Sequence, residues 1–251
     1  MHNFSIPSVN LYSYTCPDYP FINHHWGSGV IFYLVKMFFG FNGLSIFFIL
    51  LSIATLIIFF HLAWKYSSFE IAALTAIIAM PTMESRFRIR PEVFSYFFCA
   101  LFFWILYNWK NKKIKQNFIF LLPILEILWT NLHIYFFIGI MLVGTFLFDC
   151  LIVFFMHKDE EARIPLKQIS IVFVVSIIAT LLNPATIQGA LYPFKILVNF
   201  GIDTFDLQSV YQLKKTITMT QFDFPSLFYF TLTLNLLLLS WVFVLIQLIR
   251  R

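Results

Sequence analysis

Three arginines occupy alternate positions in MESRFRIRPEVFSY, residues 83–96, immediately before a strongly apolar stretch. Pro91 disfavours a helical conformation at the preceding residue, so Arg86, Arg88 and Arg90 are expected in an extended segment with their side chains on one face. A guanidinium group donates paired hydrogen bonds to phosphate oxygens. The spacing therefore favours a phosphate site, with anchoring to lipid head groups as the alternative.

Glu126 is the second candidate for chemistry, because it lies midway along the apolar segment NFIFLLPILEILWTNLH. A charged side chain within a membrane span costs roughly 2.5 to 3.5 kcal/mol, so Glu126 is expected to face the interior of a helical bundle. Helical spacing places Trp129 and His133 on the same face, with His133 at the outer mouth of a cavity. Pro123 would allow a kink beside that cavity. The alternatives are a structural carboxylate and the proton site of a transporter.

The N-terminal tail contributes FINHHWGSG, in which Asn23, His24 and His25 stand directly before Trp26. Adjacent histidines point to different sides in regular structure, so the pair does not by itself indicate a shared metal ion. The aromatic belt at membrane interfaces explains Trp26 without a functional role. Asp18 is the one acidic residue of the tail.

The composition indicates which elements must position these residues, because 60% of the 251 residues are hydrophobic and only 12% are charged. Apolar runs long enough to cross a membrane recur along the chain, which predicts one all-α transmembrane domain over residues 1–251. Residues 1–40 form its outer tail and interfacial helix, and residues 41–251 form its helical bundle. Seven spans are predicted, at Phe41–Trp64, Phe69–Met83, Pro91–Trp109, Asn117–Leu132, His133–Met156, Lys167–Leu182 and Ser226–Ile249.

The orientation follows from the loop KNKKIKQ, which carries Lys110, Lys112, Lys113 and Lys115. The positive-inside rule places this loop in the cytoplasm, so alternation puts the C-terminus inside and the tail and arginines outside. Residues 27–40, bounded by glycines, are too short to span and are expected to lie along the outer interface.

Several function classes lack support. The basic residues lie in short loops between spans, which argues against nucleic-acid binding. The three cysteines show no paired spacing, and the chain contains no Walker, Rossmann, HExxH or G-x-S-x-G element. The sequence identifies no cofactor and gives no support for a divalent metal.

Four segments together resemble a known group of proteins: PFINHHWGSGVIFYL, RFRIRPEVFSYFF, LLPILEILWTNLHIYFFIG and LLNPATIQGALYP. In this order they are similar to bacterial polytopic membrane proteins related to GT-C type glycosyltransferases. The resemblance covers about residues 6–193 and is a pattern rather than one diagnostic motif. It implies an inner-membrane enzyme that transfers a sugar from a polyprenyl-phosphate donor at the outer face, using a carboxylate base.

The resemblance also implies roles for individual residues. The donor phosphate and sugar would contact Arg86, Arg88, Arg90, Glu92, Asn23, His24, Asn131 and His133. The base would be His25, Asp18 or Glu126; similar sequences often carry Glu where this chain has His25. They also place a span and an acidic residue earlier in the chain, so the resemblance predicts that an N-terminal span is missing here.

Three functions therefore stay open at this stage. The first is the glycosyltransferase, whose partners are membrane lipid and the polyprenyl-phosphate sugar; no protein partner is identified. The second is a non-catalytic or truncated homologue that keeps the fold. The third is a transporter that uses Glu126 as a proton site.

Overall fold

The computed structural model describes Val9, Tyr14, Thr15, Asp18 and residues 20–84, 89–157, 160–196 and 224–249. Within these residues every regular element is a helix, and the β-bridge between Val9 and Pro20 is isolated. The all-α prediction is confirmed for the part of the chain that is described.

The helices are α1 Trp26–Tyr66, α2 Phe69–Glu84, α3 Glu92–Lys110, α4 Leu122–Leu132, α5 Phe137–His157, α6 Glu160–Ala179, α7 Thr186–Ala190, α8 Tyr192–Ile196 and α9 Phe224–Ile249. Short 3-10 helices, Gln116–Leu121 and Ile134–Phe136, lead into α4 and α5. The seven predicted spans correspond to α1 to α6 and α9. The largest differences are at the start of α1 and the start of α6, which both begin earlier than predicted.

Three helical stretches in the described residues are long and apolar enough to cross a membrane: Trp26–Tyr66, Glu92–Lys110 and Ile134–Met156. Four shorter apolar helices lie at the other predicted spans, over Phe69–Met80, Gln116–Leu132, Ile164–Ala179 and Phe228–Val242. The chain is thus a helical protein with features of membrane association, and the complete seven-span arrangement stays a prediction.

Helix α1 contains a break at Gly40, where φ is +68° and ψ is −169°. This backbone conformation is essentially restricted to glycine, because a Cβ atom would clash with the backbone. The break coincides with the boundary predicted between residues 27–40 and the span that begins at Phe41. Placement of the first part of α1 along the membrane surface stays a prediction.

Pro123 begins a helix instead of bending one, which corrects the predicted kink. It lies in the first turn of α4, directly after the 3-10 helix Gln116–Leu121. Proline is tolerated there because the first N–H groups of a helix have no acceptor within it. The predicted span Asn117–Leu132 therefore consists of a 3-10 helix followed by an α-helix.

The chain, predicted from sequence as one domain, divides into two compact units. The first comprises Met1–Phe59 and Ile89–Val198, and the second comprises Phe60–Arg88 and Asn199–Arg251. In the first unit, α4 packs against α3 and α6, and α5 packs against both α3 and α6. Its core includes Phe102, Ile105, Trp109, Trp129, Val143 and Val172, all fully or almost fully buried. In the second unit, α2 packs against α9.

Candidate functional site

Three histidines from two distant chain segments meet in the first unit. The rings of His24 and His25, just before α1, have centroids 3.9 Å apart. The His25 ring stacks on His133, directly after α4, with centroids 4.8 Å apart and 10° between the planes. Tyr192, at the start of α8, lies 4.7 Å from His24 between ring centroids. The structure therefore brings His25, predicted as a candidate base, together with His24 and His133, which were predicted to contact the donor.

His133 is linked to α3 through a short chain of hydrogen bonds. Ser95 Oγ lies 2.7 Å from His133 Nδ1, and Trp129 Nε1 donates to Ser95 Oγ over 2.7 Å. All three side chains are buried. The backbone of His133 is extended, with φ −157°, so this residue ends α4 rather than continuing its predicted helical face. Its side chain is nevertheless buried and shares Ser95 Oγ as a hydrogen-bond partner with Trp129, which lies one turn earlier.

Ser95 was missed by the sequence analysis. It is the only serine or threonine between Arg90 and Lys110, and that isolation in an apolar helix is the one signal that could have drawn attention to it. A buried hydroxyl in such a helix either bonds to its own backbone or needs a partner on another element. The sequence does not show which of these applies, because the partner His133 lies 38 residues away.

A second set of hydrogen bonds joins the start of α1 to the end of α4. Trp26 Nε1 donates to Asn131 Oδ1 over 2.9 Å, and Asn131 Nδ2 donates to the backbone oxygen of Leu182 over 2.8 Å. Gly27 packs against the backbone of Asn131. A Cβ atom added at Gly27 would stand 2.6 Å from the Asn131 backbone oxygen, which is too close. The Asn131 side chain is therefore engaged with protein partners, and the donor contact expected for it stays a prediction. Trp26 was interpreted from the sequence as an interfacial aromatic residue. In the structure its indole N–H also bonds to Asn131 and so joins the start of α1 to the end of α4.

Burial determines the charge of the tail histidines. Burial and, less strongly, the proximity of His24 lower the pKa of His25 to about 3. Burial also lowers the pKa of His24, against the effect of its hydrogen bond to the Ile22 carbonyl. Both rings are therefore neutral at neutral pH, and His25 Nδ1 is buried without a hydrogen-bond partner in the described part of the chain. An imidazole with so low a pKa is a weak general base, which makes His25 better suited to hydrogen bonding.

Glu126 is completely buried, as predicted, but the structure does not place it beside an open cavity. Both carboxylate oxygens are shielded from solvent and lack a hydrogen-bond partner among the described residues. A Cβ on Gly139 of α5 would collide with Oε2 and would stand 3.0 Å from Phe102 and 3.1 Å from Trp129. His133, the predicted mouth of the cavity, is only 3% exposed. The predicted opening is therefore corrected: the missing side chain of Gly139 lets α5 pack closely over the carboxylate.

Of the three arginines, Arg90 lies in the described part of the chain, whereas Arg86 and Arg88 lie outside it. Arg90 Nη1 lies 3.8 Å from Glu92 Oε1, and the other Glu92 oxygen is buried with no hydrogen-bond partner among the residues that the structure describes. Pro91 immediately precedes α3, as the sequence predicts. The Arg90–Glu92 pair and Ser95 are therefore held at the same end of one helix.

The remaining candidates have smaller or separate roles. Asn23 Oδ1 accepts a hydrogen bond from the backbone N–H of His25 over 3.3 Å, which stabilises the turn before α1. Asp18 is exposed, and no described contact joins it to the three histidines. Within the described residues, no group of three or more His, Cys, Asp or Glu side chains is arranged to hold a metal ion.

The candidate site is thus built from the turn before α1, the start of α3, the end of α4 and the start of α8. We call it the histidine site and define it as His24, His25, Ser95, His133 and Tyr192. Comparison with known protein families, with curated proteins and with solved structures shows no match to this chain.

Proposed function

We propose that this chain is a bacterial inner-membrane protein of the GT-C glycosyltransferase type. It would bind a polyprenyl-phosphate-linked sugar at the outer face and transfer that sugar to an acceptor. The observation that supports this proposal best is the contact between His25 and His133, two residues assigned to the site from segments far apart in sequence. Ser95 extends the contact to the helix that Arg90 precedes. A lipid phosphate there would meet a guanidinium group together with neutral hydrogen-bonding groups.

The charges at the two ends of α3 support the proposed orientation. Arg90 precedes the helix, whereas Lys110 ends it and pairs with Asp149 of α5. The 19 residues of α3 extend over about 29 Å at 1.5 Å per residue, close to the hydrocarbon thickness of a bilayer. With the lysine loop in the cytoplasm, Arg90 would stand at the level of the outer phosphates. This arrangement belongs to a seven-span bundle with an outer tail and a cytoplasmic C-terminus.

The test is a binding measurement with the purified chain and a polyprenyl phosphate in detergent or nanodiscs. We expect Arg90→Gln to weaken binding by about 1.5 to 3 kcal/mol, or roughly 10- to 150-fold, because a charged hydrogen bond is lost. Arg90→Lys should recover part of this loss, since a lysine cannot donate in the paired geometry of arginine. Lys113→Gln is the matched control, because it removes the same charge just beyond the other end of α3. Equal affinity of wild type and Arg90→Gln would count against the proposal.

A second candidate is a non-catalytic homologue that binds the lipid-linked sugar without transferring it. It is favoured by the carboxylates: Glu126 is sealed by α5, and Asp18 has no described contact with the histidine site. His25, the other proposed base, is only weakly basic. Retained binding of the sugar donor without release of polyprenyl phosphate, over many hours and with a mixture of acceptors, would identify this second function.

A further inference from the structure

We propose that Ser95 and Trp129 are positioning residues that hold His133 in a single neutral tautomer, with its proton on Nε2. In this form His133 donates a hydrogen bond to a phosphate oxygen of the bound lipid. The identity of the acceptor rests on the proposed function, whereas the tautomer follows from the contacts of His133 alone.

The contacts of His133 Nδ1 indicate which ring nitrogen carries the proton. The backbone N–H of Tyr135 points at this nitrogen over 3.4 Å, and a backbone amide can only donate. A proton on His133 Nδ1 would face this N–H group, so the contact favours the tautomer in which Nδ1 presents its lone pair. At 3.4 Å the contact is long, and the preference depends also on Ser95.

Tyr135 and Trp129 together orient the bond between Ser95 and His133. An indole N–H can only donate, so the bond from Trp129 Nε1 occupies one lone pair of Ser95 Oγ and leaves the Ser95 proton free for another partner. Because the Tyr135 contact favours an unprotonated Nδ1, the Ser95 hydroxyl is the donor to His133 Nδ1, 2.7 Å away. Two donors therefore converge on the same nitrogen, and both favour the tautomer with the proton on Nε2.

The surroundings of the ring favour the neutral form. Only 3% of the His133 surface is exposed to solvent, and the His25 ring stacks on the His133 ring. A charged imidazole would lose the hydrogen bond from Ser95 and would lie against a second imidazole without a described counter-ion. A neutral imidazole carries one proton, which must then be on Nε2.

The Nε2–H group of His133 is an available donor in the histidine site. Among the described residues it has no hydrogen-bond partner. An unpaired donor on a ring that is otherwise almost completely buried favours binding of an acceptor oxygen that reaches its exposed edge. Ser95 and the Arg90–Glu92 pair lie at the same end of α3, so a phosphate held by Arg90 is the acceptor that the charges favour.

The first experiment measures the tautomer directly. We would label histidine rings with ¹⁵N, record magnetic resonance spectra of the full chain in lipid, and assign His133 from the signal lost in His133→Gln. We expect one protonated nitrogen, Nε2, in wild type and in Ser95→Thr, and a mixture of both tautomers in Ser95→Ala. Ser176→Ala is the matched control, because Ser176 is a buried serine without a hydrogen-bond partner among the described residues. A wild-type ring with its proton on Nδ1, or with two protons, would overturn the inference whether or not the variants fold.

The second experiment adds a polyprenyl phosphate to the same samples. We expect the Nε2–H signal of His133 to shift, and Ser95→Ala to bind the lipid about 2- to 10-fold more weakly than Ser176→Ala. If the lipid binds and the signal does not move, the donor role of His133 is wrong while the proposed function stands. If wild type does not bind the lipid at all, the proposed function and the donor role both fail, whatever the tautomer.

Discussion

The polar side chains that are buried or half-buried in the first unit include two contrasting groups. Ser95, Trp129 and Asn131 each have a hydrogen-bond partner on another element. Glu126 and one nitrogen of His25 have none among the described residues. Because a buried polar group without a partner costs about 1 to 3 kcal/mol, these residues are the places where single substitutions are most informative.

Replacement of Glu126 should show whether its carboxylate has a stabilising partner. Glutamine has nearly the same size and removes the charge, and no described ion pair is lost. We expect Glu126→Gln to change the free energy of unfolding by less than about 1 kcal/mol, or to increase it. Thermal unfolding in detergent would measure this, with the exposed Glu70→Gln as control. A loss of about 3 to 5 kcal/mol would instead reveal a buried ion pair.

The stability of the first unit should depend on pH through His25. Its pKa is about 3 in the folded chain and about 6.5 when unfolded, so the folded state favours the neutral ring. The contribution of His25 is fully present above pH of about 6.5 and is lost progressively as the pH falls toward about 3. We expect about 1 kcal/mol less stability at pH 5.5 than at pH 7.5 from this residue.

The measurement is the unfolding midpoint of wild type and His25→Gln at several pH values between these limits. The variant should have the flatter profile, while His61→Gln, at an exposed position of α1, should follow wild type. Parallel profiles for all three proteins would contradict the assignment to His25.

At the scale of helices, two glycines control how closely elements approach each other. Gly27 allows the start of α1 to contact the backbone at the end of α4, and Gly139 allows α5 to cover Glu126. Both contacts lie next to the histidine site, which depends on α1 and α4 for His25 and His133. The small size of these residues therefore influences the site without supplying any chemistry.

Gly27 and Gly29 offer a matched pair of substitutions two residues apart in α1. A Cβ at Gly27 would meet backbone atoms, which cannot rotate away, whereas a Cβ at Gly29 would meet nothing within 4 Å. We expect Gly27→Ala to destabilise the fold by about 1 to 3 kcal/mol through overpacking. Gly29→Ala should be neutral or stabilise by up to about 1 kcal/mol, since alanine favours a helix. Thermal unfolding of the two variants is the measurement, and equal midpoints would show that α1 does not dock as described.

At the scale of the whole molecule, the proposed orientation predicts which positions a thiol reagent can reach. In a variant lacking the three native cysteines, Lys113→Cys should react with a membrane-impermeant reagent only after the membrane is opened. Asp18→Cys should react in intact cells. Both positions are exposed, so the difference would report the side of the membrane and not burial. The opposite labelling pattern would invert the topology and remove the arginines from the outer face.

The amino-acid sequence by itself determined the helical class and most helix positions. A long apolar run satisfies its backbone hydrogen bonds internally and needs no distant partner, so the stretch that became α3 could be located from residues 91–109 alone. The glycine at position 40 likewise marked a local break that depends only on backbone sterics. The burial of Glu126 followed from the cost of exposing a carboxylate to lipid.

Only the tertiary structure decided which polar groups meet. The Ser95–His133 bond joins positions 38 residues apart, and the Trp26–Asn131 bond joins positions 105 apart. Such pairs depend on the rotation and approach of packed helices, which short-range periodicity does not specify. The same holds for Glu126: its position along an apolar helix predicted that it is buried, but the close approach of Gly139 decided that it is sealed and not open to a cavity.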